Sequence, residues 1–302
     1  MTLHQLRTFL AVAETGSVRG AAAELVVTQA AVSASLAALQ KSLGVALVEP
    51  DGRGLRLTSA GTAYTGYARR VIGLLDEGGR AAAAAADPER GELRIAAVTT
   101  AAEQIVPGIL GSFRQAHPHT GVRLEAGNRD RVRALLDRRQ VDLVLCGRPE
   151  PGWEVVVHGV RPHELVVVAA PELASTAPAS AGLLPWLARQ TWLLREPGSG
   201  TRASTEAMLA GLDISPRTLV VGSNVAIRES AQVGLGVTLL SRDAVSAELA
   251  EGRLSEIGVP GTPLHRDWYL VAHPGPLAPA AARLVGHALA GGGFHQPGRG
   301  SR

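Results

Sequence analysis

Two valines, Val26 and Val27, are all that separates one run of helically spaced apolar residues from the next, and so short a break leaves two helices few ways to be joined. From Thr2 to Leu47 apolar positions recur three and four apart: Leu3, Leu6, Phe9, Leu10 and Ala13, then Ala21, Ala22 and Leu25, then Val32, Leu36, Leu39 and Leu43. The spacing predicts three short helices. Ser17, after Gly16, is placed to cap the second and Thr28 the third. A helix of about eight residues joined tightly to a longer one is the layout of a helix-turn-helix, whose second member enters the major groove.

The stretch "LVEPDGRGLRLT" (47–58) alternates apolar and polar residues around Asp51-Gly52, a hairpin signal. A hairpin behind a helix-turn-helix makes a winged one, with Arg53 and Arg56 placed for phosphate or minor-groove contact. Thr58 is placed to cap a fourth helix over Ser59 to Ala86, with Tyr64, Tyr67, Val71, Ile72, Leu74 and Leu75 along one side. Its poly-Ala end favours helix, whereas Gly66, Gly73, Gly78 and Gly79 cost about 1 kcal/mol each. Such a helix needs a partner, and its narrow apolar stripe points to dimerisation. Asp87-Pro88 ends it, and residues 87–91 read as a hinge.

From Gly91 strands alternate with helices. "ELRIAAV", "VRLEAG", "VDLVLCG", "WEVVVHGV", "ELVVVAA", "TWLLRE", "TLVVGS", "GVTLLS" and "DWYLVAH" read as strands, with helices near 102–116, 129–139, 202–210, 225–233, 243–251 and 277–290. This rhythm predicts two parallel sheets with helices on both faces, an α/β architecture. The tail "GGGFHQPGRGSR" (291–302) reads as disordered. A chain of 302 residues, 46% hydrophobic and 19% charged, has material for at least two cores. It contains no uncharged apolar run long enough for a membrane span, and its N-terminus lacks the order of a secretory signal, so the expected location is the cytoplasm, with no membrane partner. The net charge of +3 permits nucleic-acid binding without demanding it.

Read together, "LRTFLAVAETGSVRGAAAEL", "TQAAVSASLAALQKSLGVALV" and "LTSAGTAY" resemble the winged helix-turn-helix of the LysR-type transcriptional regulators, and the match extends through the long linker helix to about residue 90. "GELRIAAV" followed by Thr99-Thr100, and later "GSN" with "GLGVTLLSRDAV", resemble the family's effector domain. The resemblance implies a two-lobed domain like a periplasmic binding protein, with a ligand cleft between lobes and chain crossings near 160–163 and 263–267. It implies a winged helix-turn-helix over 1–58, a linker helix and hinge over 59–90, and an effector domain over 91–290. Lobe 1 would take about 91–161 and 268–290, and lobe 2 about 162–267. "REPGSGTR" followed by "GSNVAIRESAQVGLGVTLLSRDAV" looks most like the branch that regulates carbon-fixation and sulfur-assimilation genes, some members of which sense phosphorylated metabolites or nucleotides.

This chain departs from the family at Ala30, where Pro is common, near Ala34, where Arg or a polar residue is common, and at Pro50, where Arg is common. The recognition helix, Thr28 to Gln40, carries no charge. Its candidate contacts are Thr28, Gln29, Ala30, Ser33, Ser35 and Gln40; Gln suits adenine, and Ser or Thr suits any base. Lys41, Arg53 and Arg56, doubled in a dimer, must then supply the phosphate affinity. Modest affinity and an unusual half-site preference are expected.

"LLREPGSGTR" (193–202) has the look of chemistry, because glycines bare backbone NH groups where a helix begins. A phosphate loop of the Walker type needs Gly-Lys-Ser/Thr, and no Lys follows; a dinucleotide fingerprint needs a third Gly, and Ala203-Ser204 do not provide it. A tight strand-to-helix turn explains the same glycines without any ligand. The family resemblance places this loop opposite Thr99 and Thr100, so that two helix starts converge on one small anion. Ser199, Thr201, Ser223 and Asn224 would line the cleft, and Arg202, Arg195 and Arg148 would add charge.

The nine histidines are not at ligand spacing, and one cysteine, Cys146, lies in an apolar strand as a buried, inert thiol. No catalytic, metal or cofactor site is expected. The expected molecule is a homodimer or homotetramer that binds double-stranded promoter DNA and senses a small anionic metabolite. Two alternatives stand beside it: an α/β enzyme acting on a phosphorylated substrate, and a constitutive DNA-binding oligomer with no effector.

Overall fold

A computed structural model describes residues 1–86, 91–179, 181–291 and 293–298. These form two compact units, one running from Met1 to Ala86 and one containing most of the remainder.

The first unit begins with α1 (Leu3–Thr15), where the Thr2 hydroxyl accepts from the Gln5 backbone NH and the Gln5 side chain accepts from the Thr2 NH. Ser17 caps α2 (Val18–Leu25) through Gly20 NH, and Thr28 caps α3 (Gln29–Leu43) through Ala31 NH. Between them Val26 takes a left-handed conformation (φ 56°, ψ 46°), and the two helix axes bend by 108°, within the helix-turn-helix range. Strands β1 (Val48–Asp51) and β2 (Gly54–Leu57) form the antiparallel wing, turned at Gly52 (φ 57°). Then α4 (Ser59–Ala86) starts from Thr58, whose hydroxyl accepts from Gly61 NH. Phe9, Val12, Ala21, Val32, Leu36, Leu39 and Leu47 meet in one core, so the helical apolar spacing is spent on burial. Of the residues read as a hinge, 87–91, all but Gly91 lie outside the described residues, as do 292 and 299–302 of the tail.

The second unit runs β3 (Glu92–Val98), α5 (Thr99–Gln104), α6 (Val106–Ala116), β4 (Gly121–Gly127), α7 (Arg129–Asp137), β5 (Leu143–Cys146) and β6 (Val156–Ala169). It continues through α8 (Pro171–Ala174), α9 (Leu183–Arg189), β7 (Thr191–Leu194), α10 (Gly200–Gly211), β8 (Arg217–Val220), α11 (Asn224–Gln232), β9 (Thr238–Ser241) and α12 (Arg242–Ala250). It ends with β10 (Ser255–Glu256), β11 (Leu264–Ala272) and α13 (Pro279–Gly291).

Its sheets differ from the expected pair of parallel ones. Strands β4, β3 and β5 are parallel, but β11 pairs antiparallel with β5 and with β6, and β6 continues antiparallel to β9 and β10. The result is one seven-stranded mixed sheet, with β7 and β8 forming a small parallel sheet beside it. The cause is β6. "WEVVVHGV" and "ELVVVAA" belong to a single strand that runs straight through Pro162, because Pro162 sits exposed opposite Asp267, where its missing NH costs little. The chain leaves one lobe along β6 and returns along β11, so the two crossing strands run antiparallel.

Two further expectations are corrected. The helix placed over 102–116 starts at Thr99 and breaks at Ile105, because Pro107 follows at the start of α6 and brings no NH. The tail is ordered where it is described: Phe294 is buried in the core of Leu93, Phe113, Leu145 and Leu284, and His295 exchanges two backbone hydrogen bonds with Val160. One aromatic side chain outweighs the glycines before it.

Each lobe has apolar clusters on both faces of its sheet. Ile95, Leu143, Leu145 and Leu270 face one way and Ala96, Val144 and Val271 the other; Leu165 and Val167 face one way and Val166 and Val168 the other. Burial on both faces explains why "LVVVAA", after Glu164, is apolar throughout. Among the described residues no single helix is long and apolar enough to cross a membrane.

Candidate functional site

On α3, Val32, Leu36 and Leu39 point into the core, and Gln29, Ala30, Ser33, Ala34 and Lys41 stand exposed. Gln29 and Ser33, four residues apart, share one face, whereas Lys41 near the other end of α3 lies about 120° around the helix from Gln29. Thr28 is exposed at the helix start, with its hydroxyl engaged by Ala31 NH. Two of the polar candidates turn inward. The Ser35 hydroxyl donates to Thr8 Oγ1 at 3.2 Å, and Gln40 Oε1 accepts from the NH groups of Leu47 (2.7 Å) and Val48 (3.3 Å), tying α3 to the wing. Arg53 is exposed at the hairpin turn, and Arg56 is held by Glu49 at 2.7 Å. Along α4, Tyr67, Val71, Leu74 and Leu75 form an exposed apolar stripe within this unit.

In the second unit a cleft lies between the lobes, with the crossing strands β6 and β11 as its floor. Lobe 1 contributes Thr99, Thr100, Asn128 and Arg129; lobe 2 contributes Arg195, Glu196, Ser199, Thr201 and Ser204; the floor contributes His163, Arg266, Asp267 and Trp268. The starts of α5 and α10 both border it. No side chain caps α5, whereas Ser199 caps α10. Gly198, at φ 85°, carries the loop past Asn128, where a side chain would collide with the amide, so the turn itself requires this glycine.

Of the residues expected here, Thr99, Thr100, Arg195, Ser199 and Thr201 line the cleft. Asn224, buried behind it, donates to Thr100 Oγ1 at 3.0 Å and to Glu103 at 3.1 Å while accepting from Arg195 Nη1, and so joins lobe 2 to lobe 1. Ser223 caps α11. Arg202 is at the outer mouth, with Nη1 donating to Arg195 O at 3.2 Å and Nε to Glu206 at 2.8 Å. Arg148 is exposed and outside the lining.

The charged lining is unequal: Arg129, Arg195 and Arg266 face Glu196 and Asp267. Arg195 is 4% exposed and gripped by both oxygens of Glu196, at 2.7 and 2.8 Å. Burial raises the Glu196 pKa, but the Arg195 hydrogen bonds and its own backbone more than offset this, and the carboxyl ends below its ordinary value. Arg129 reaches Glu150 at 3.2 Å. Arg266 donates to the Ser204 hydroxyl; burial first, and the nearby Arg129 second, lower its pKa. His163 stacks on Trp268 with ring centroids 4.2 Å apart and planes 12° off parallel. Burial pushes the imidazole down to about 4, so it is neutral. Trp268 Nε1 is buried without a hydrogen-bond partner.

The sequence reading missed the whole floor and Asn128 with Arg129. Asn128 carried a signal, since "GN" before a helix repeats the "SN" at Ser223-Asn224, and its Oδ1 caps α7 through Arg131 NH. Among the described residues no group of three or more His, Cys, Asp or Glu is placed to hold a metal. Two Ser–His contacts occur among the described residues: His163 Nδ1 to Ser241 Oγ at 3.4 Å joins two buried groups, Ser112 Oγ to His287 Nε2 at 2.7 Å joins α6 to α13, and neither serine lines the cleft. Cys146 is buried, and its thiol is pushed up to about 12.

Comparison with known proteins gives two family matches: "Bacterial regulatory helix-turn-helix protein, lysR family" over residues 3–62, and "LysR substrate binding domain" over residues 86–292. The chain is 35% identical over 285 residues to the HTH-type transcriptional regulator CbbR of Rhodospirillum rubrum, covering 94% of each chain. It is 36% identical over 272 residues to a RuBisCO operon transcriptional regulator of Acidithiobacillus ferrooxidans, covering 89% of this chain and 87% of that one. Among solved structures, the Synechocystis PCC6803 CcmR regulatory domain in complex with 2-PG superposes with a TM-score of 0.60 at 27% identity, over 67% of this chain and 97% of that one.

Proposed function

The chain belongs to the LysR family of DNA-binding transcriptional regulators, and from that premise we propose that its promoter binding is modulated by a small anionic metabolite held in the cleft between the lobes. The family and these relatives are regulators and not enzymes. One observation carries the choice of an anion: of the three arginines that line the cleft, Arg129 and Arg195 are held by Glu150 and Glu196, whereas Arg266 has no carboxylate partner among the described ion pairs, and the starts of two helices lie beside it. The hydroxyls of Thr99, Thr100, Ser199 and Thr201 are the matching donors. The 2-PG bound by the CcmR regulatory domain supports the same class of ligand.

In this reading Thr28, Gln29, Ala30 and Ser33 meet base edges, and Lys41, Arg53 and Arg56 meet phosphates. Ser35 and Gln40 serve the fold instead. The stripe of Tyr67, Val71, Leu74 and Leu75 joins copies into a dimer or tetramer, which places two wings on an inverted repeat. The protein works in the cytoplasm, where its promoter lies. Residues 1–58 read DNA, 59–86 link and dimerise, and the chain from Gly91 senses the effector. A ligand that binds the closed cleft better shifts the lobe equilibrium, by no more than its differential affinity.

The test is a thermal-shift titration of the full-length protein with 2-PG, phosphorylated sugars, nucleotides and organic acids, paired with operator binding. At a hundredfold excess over Kd the effector should stabilise the protein by about 2.7 kcal/mol and change operator affinity. Tight operator binding with no stabilisation by any anion would replace this reading with a constitutive DNA-binding oligomer.

A further inference from the structure

The floor of the cleft holds an aromatic pair that no role above requires. His163 on β6 and Trp268 on β11 stack face to face, and Arg266, the register partner of His163, lies beside them. Both rings are more than nine-tenths buried, yet both line the cleft, and the indole NH has no protein acceptor. The imidazole, tethered through Nδ1 to Ser241, is an uncharged base.

We propose that His163 sets the charge preference of the effector site, taking a proton from solvent when a doubly charged anion binds. The inference rests on the cleft being an anion site and concerns which anion it selects. Arg129 is already paired with Glu150 and Arg195 with Glu196, so among the described ion pairs the surplus positive charge of the lining, while His163 is neutral, is that of Arg266. A singly charged anion is matched by that surplus. A dianion is matched only when His163 contributes a second charge.

The groups facing the ring make this response available. Burial dominates in keeping it neutral, and Arg266 works in the same direction. Asp243 at the start of α12, Asp267 on β11 and a backbone hydrogen bond at Glu164 favour the proton. The Glu164 carboxylate is occupied by Arg242 at 2.9 Å. Arg129, Arg195 and Glu196 border the same space, the last two already paired to each other. A second negative charge set against the stack tips this balance toward imidazolium. Bound pKa then exceeds free pKa, so the affinity gain is fullest at low pH and is lost as pH rises through the bound value.

Sulfate is the probe, because it stays a dianion from about pH 5 to about pH 8, where His titrates and the ligand must not. Its binding to the full-length protein is followed by tryptophan fluorescence, with proton uptake measured by calorimetry in two buffers of different ionisation enthalpy. The wild type should bind more weakly by up to about tenfold per pH unit and take up protons, whereas His163→Gln should bind with no pH dependence. Nitrate, a monoanion, should bind without proton uptake. Saturable sulfate binding with no proton uptake by the wild type, or a slope that survives in His163→Gln, overturns the proposal and leaves the anion cleft standing. Failure of sulfate and 2-PG alike to bind removes both.

Discussion

Replacing Gly61 by Ala tests the packing of the DNA-binding unit at its tightest point. A Cβ built on Gly61 would lie 1.9 Å from Leu47 O and 2.9 Å from Leu47 C, and both atoms are backbone. To reach even 3.0 Å, the start of α4 must withdraw by about 1 Å from the entry to β1. That oxygen already accepts from Thr58 NH at 3.0 Å, and the Thr58 hydroxyl ties Ala46 O at 2.8 Å and Gly61 NH at 3.0 Å. Withdrawal therefore strains three hydrogen bonds besides the fully buried Leu47. Overpacking costs roughly 1–3 kcal/mol, and a weakened hydrogen bond about 1 more. Gly66 is the control: on the same helix, a Cβ there meets nothing within 4 Å, so Gly66→Ala should stabilise by about 1 kcal/mol through helix propensity. At about 4–8 °C per kcal/mol for a unit this size, the two variants should melt on the order of 15 °C apart. All four tryptophans, Trp153, Trp186, Trp192 and Trp268, lie outside this unit, so far-UV circular dichroism reports its melting while tryptophan fluorescence stays unchanged. A Gly61→Ala protein as stable as wild type would refute the argument, since no rotamer change can relieve a clash with backbone.

Removing the wing arginines should weaken binding to every DNA sequence and flatten the salt dependence by about one unit of slope for each lost phosphate contact. Arg53→Ala should do more than Arg56→Ala, because Glu49 already neutralises Arg56. Gln29→Ala or Ser33→Ala should instead shift base preference at one position by about 1–3 kcal/mol with the slope intact, as read by competition binding; unchanged promoter binding in both sets would put the interface elsewhere. Burial raises the Cys146 pKa to about 12, so the native thiol stays protonated at neutral and mildly alkaline pH. A thiol reagent should modify it only after denaturation, and rapid labelling of native protein would contradict its burial.

What the sequence made legible was local. Ser17, Thr28 and Thr58 announce helix starts within three residues of the NH groups they cap, and Asp51-Gly52 announces the hairpin by its turn chemistry. Inward-turned polar residues were not legible: Gln40 looks like a base reader until the chain returns seven residues later to present Leu47 NH. "WEVVVHGV" and "ELVVVAA" read as two strands because the place that tolerates Pro162 between them, opposite Asp267, is set by β11, a hundred residues onward. Phe294 looked like part of a loose tail because its pocket is made by four distant segments.

The same contrast bears on how the proposed sensor works. The lobe walls could be found from strand ends, because a helix start repeats wherever a strand ends beneath one. The floor is created only by antiparallel register, which sets Arg266 opposite His163 and leaves Trp268 to stack on that ring. Arg195 is held by Glu196 and by Asn224, whose other bonds reach Thr100 and Glu103 in lobe 1. Its charge is largely spent before any ligand arrives, and its role is to brace the walls. An effector that touched the floor alone would bind open and closed lobes equally and shift nothing. Under the proposed sensing role, one ligand group would sit on Arg266 and the stack for affinity, and another would reach both Thr100 and Thr201, one on each lobe. In that proposal the anionic group would fix where the molecule sits, and the remainder of the effector would do the switching.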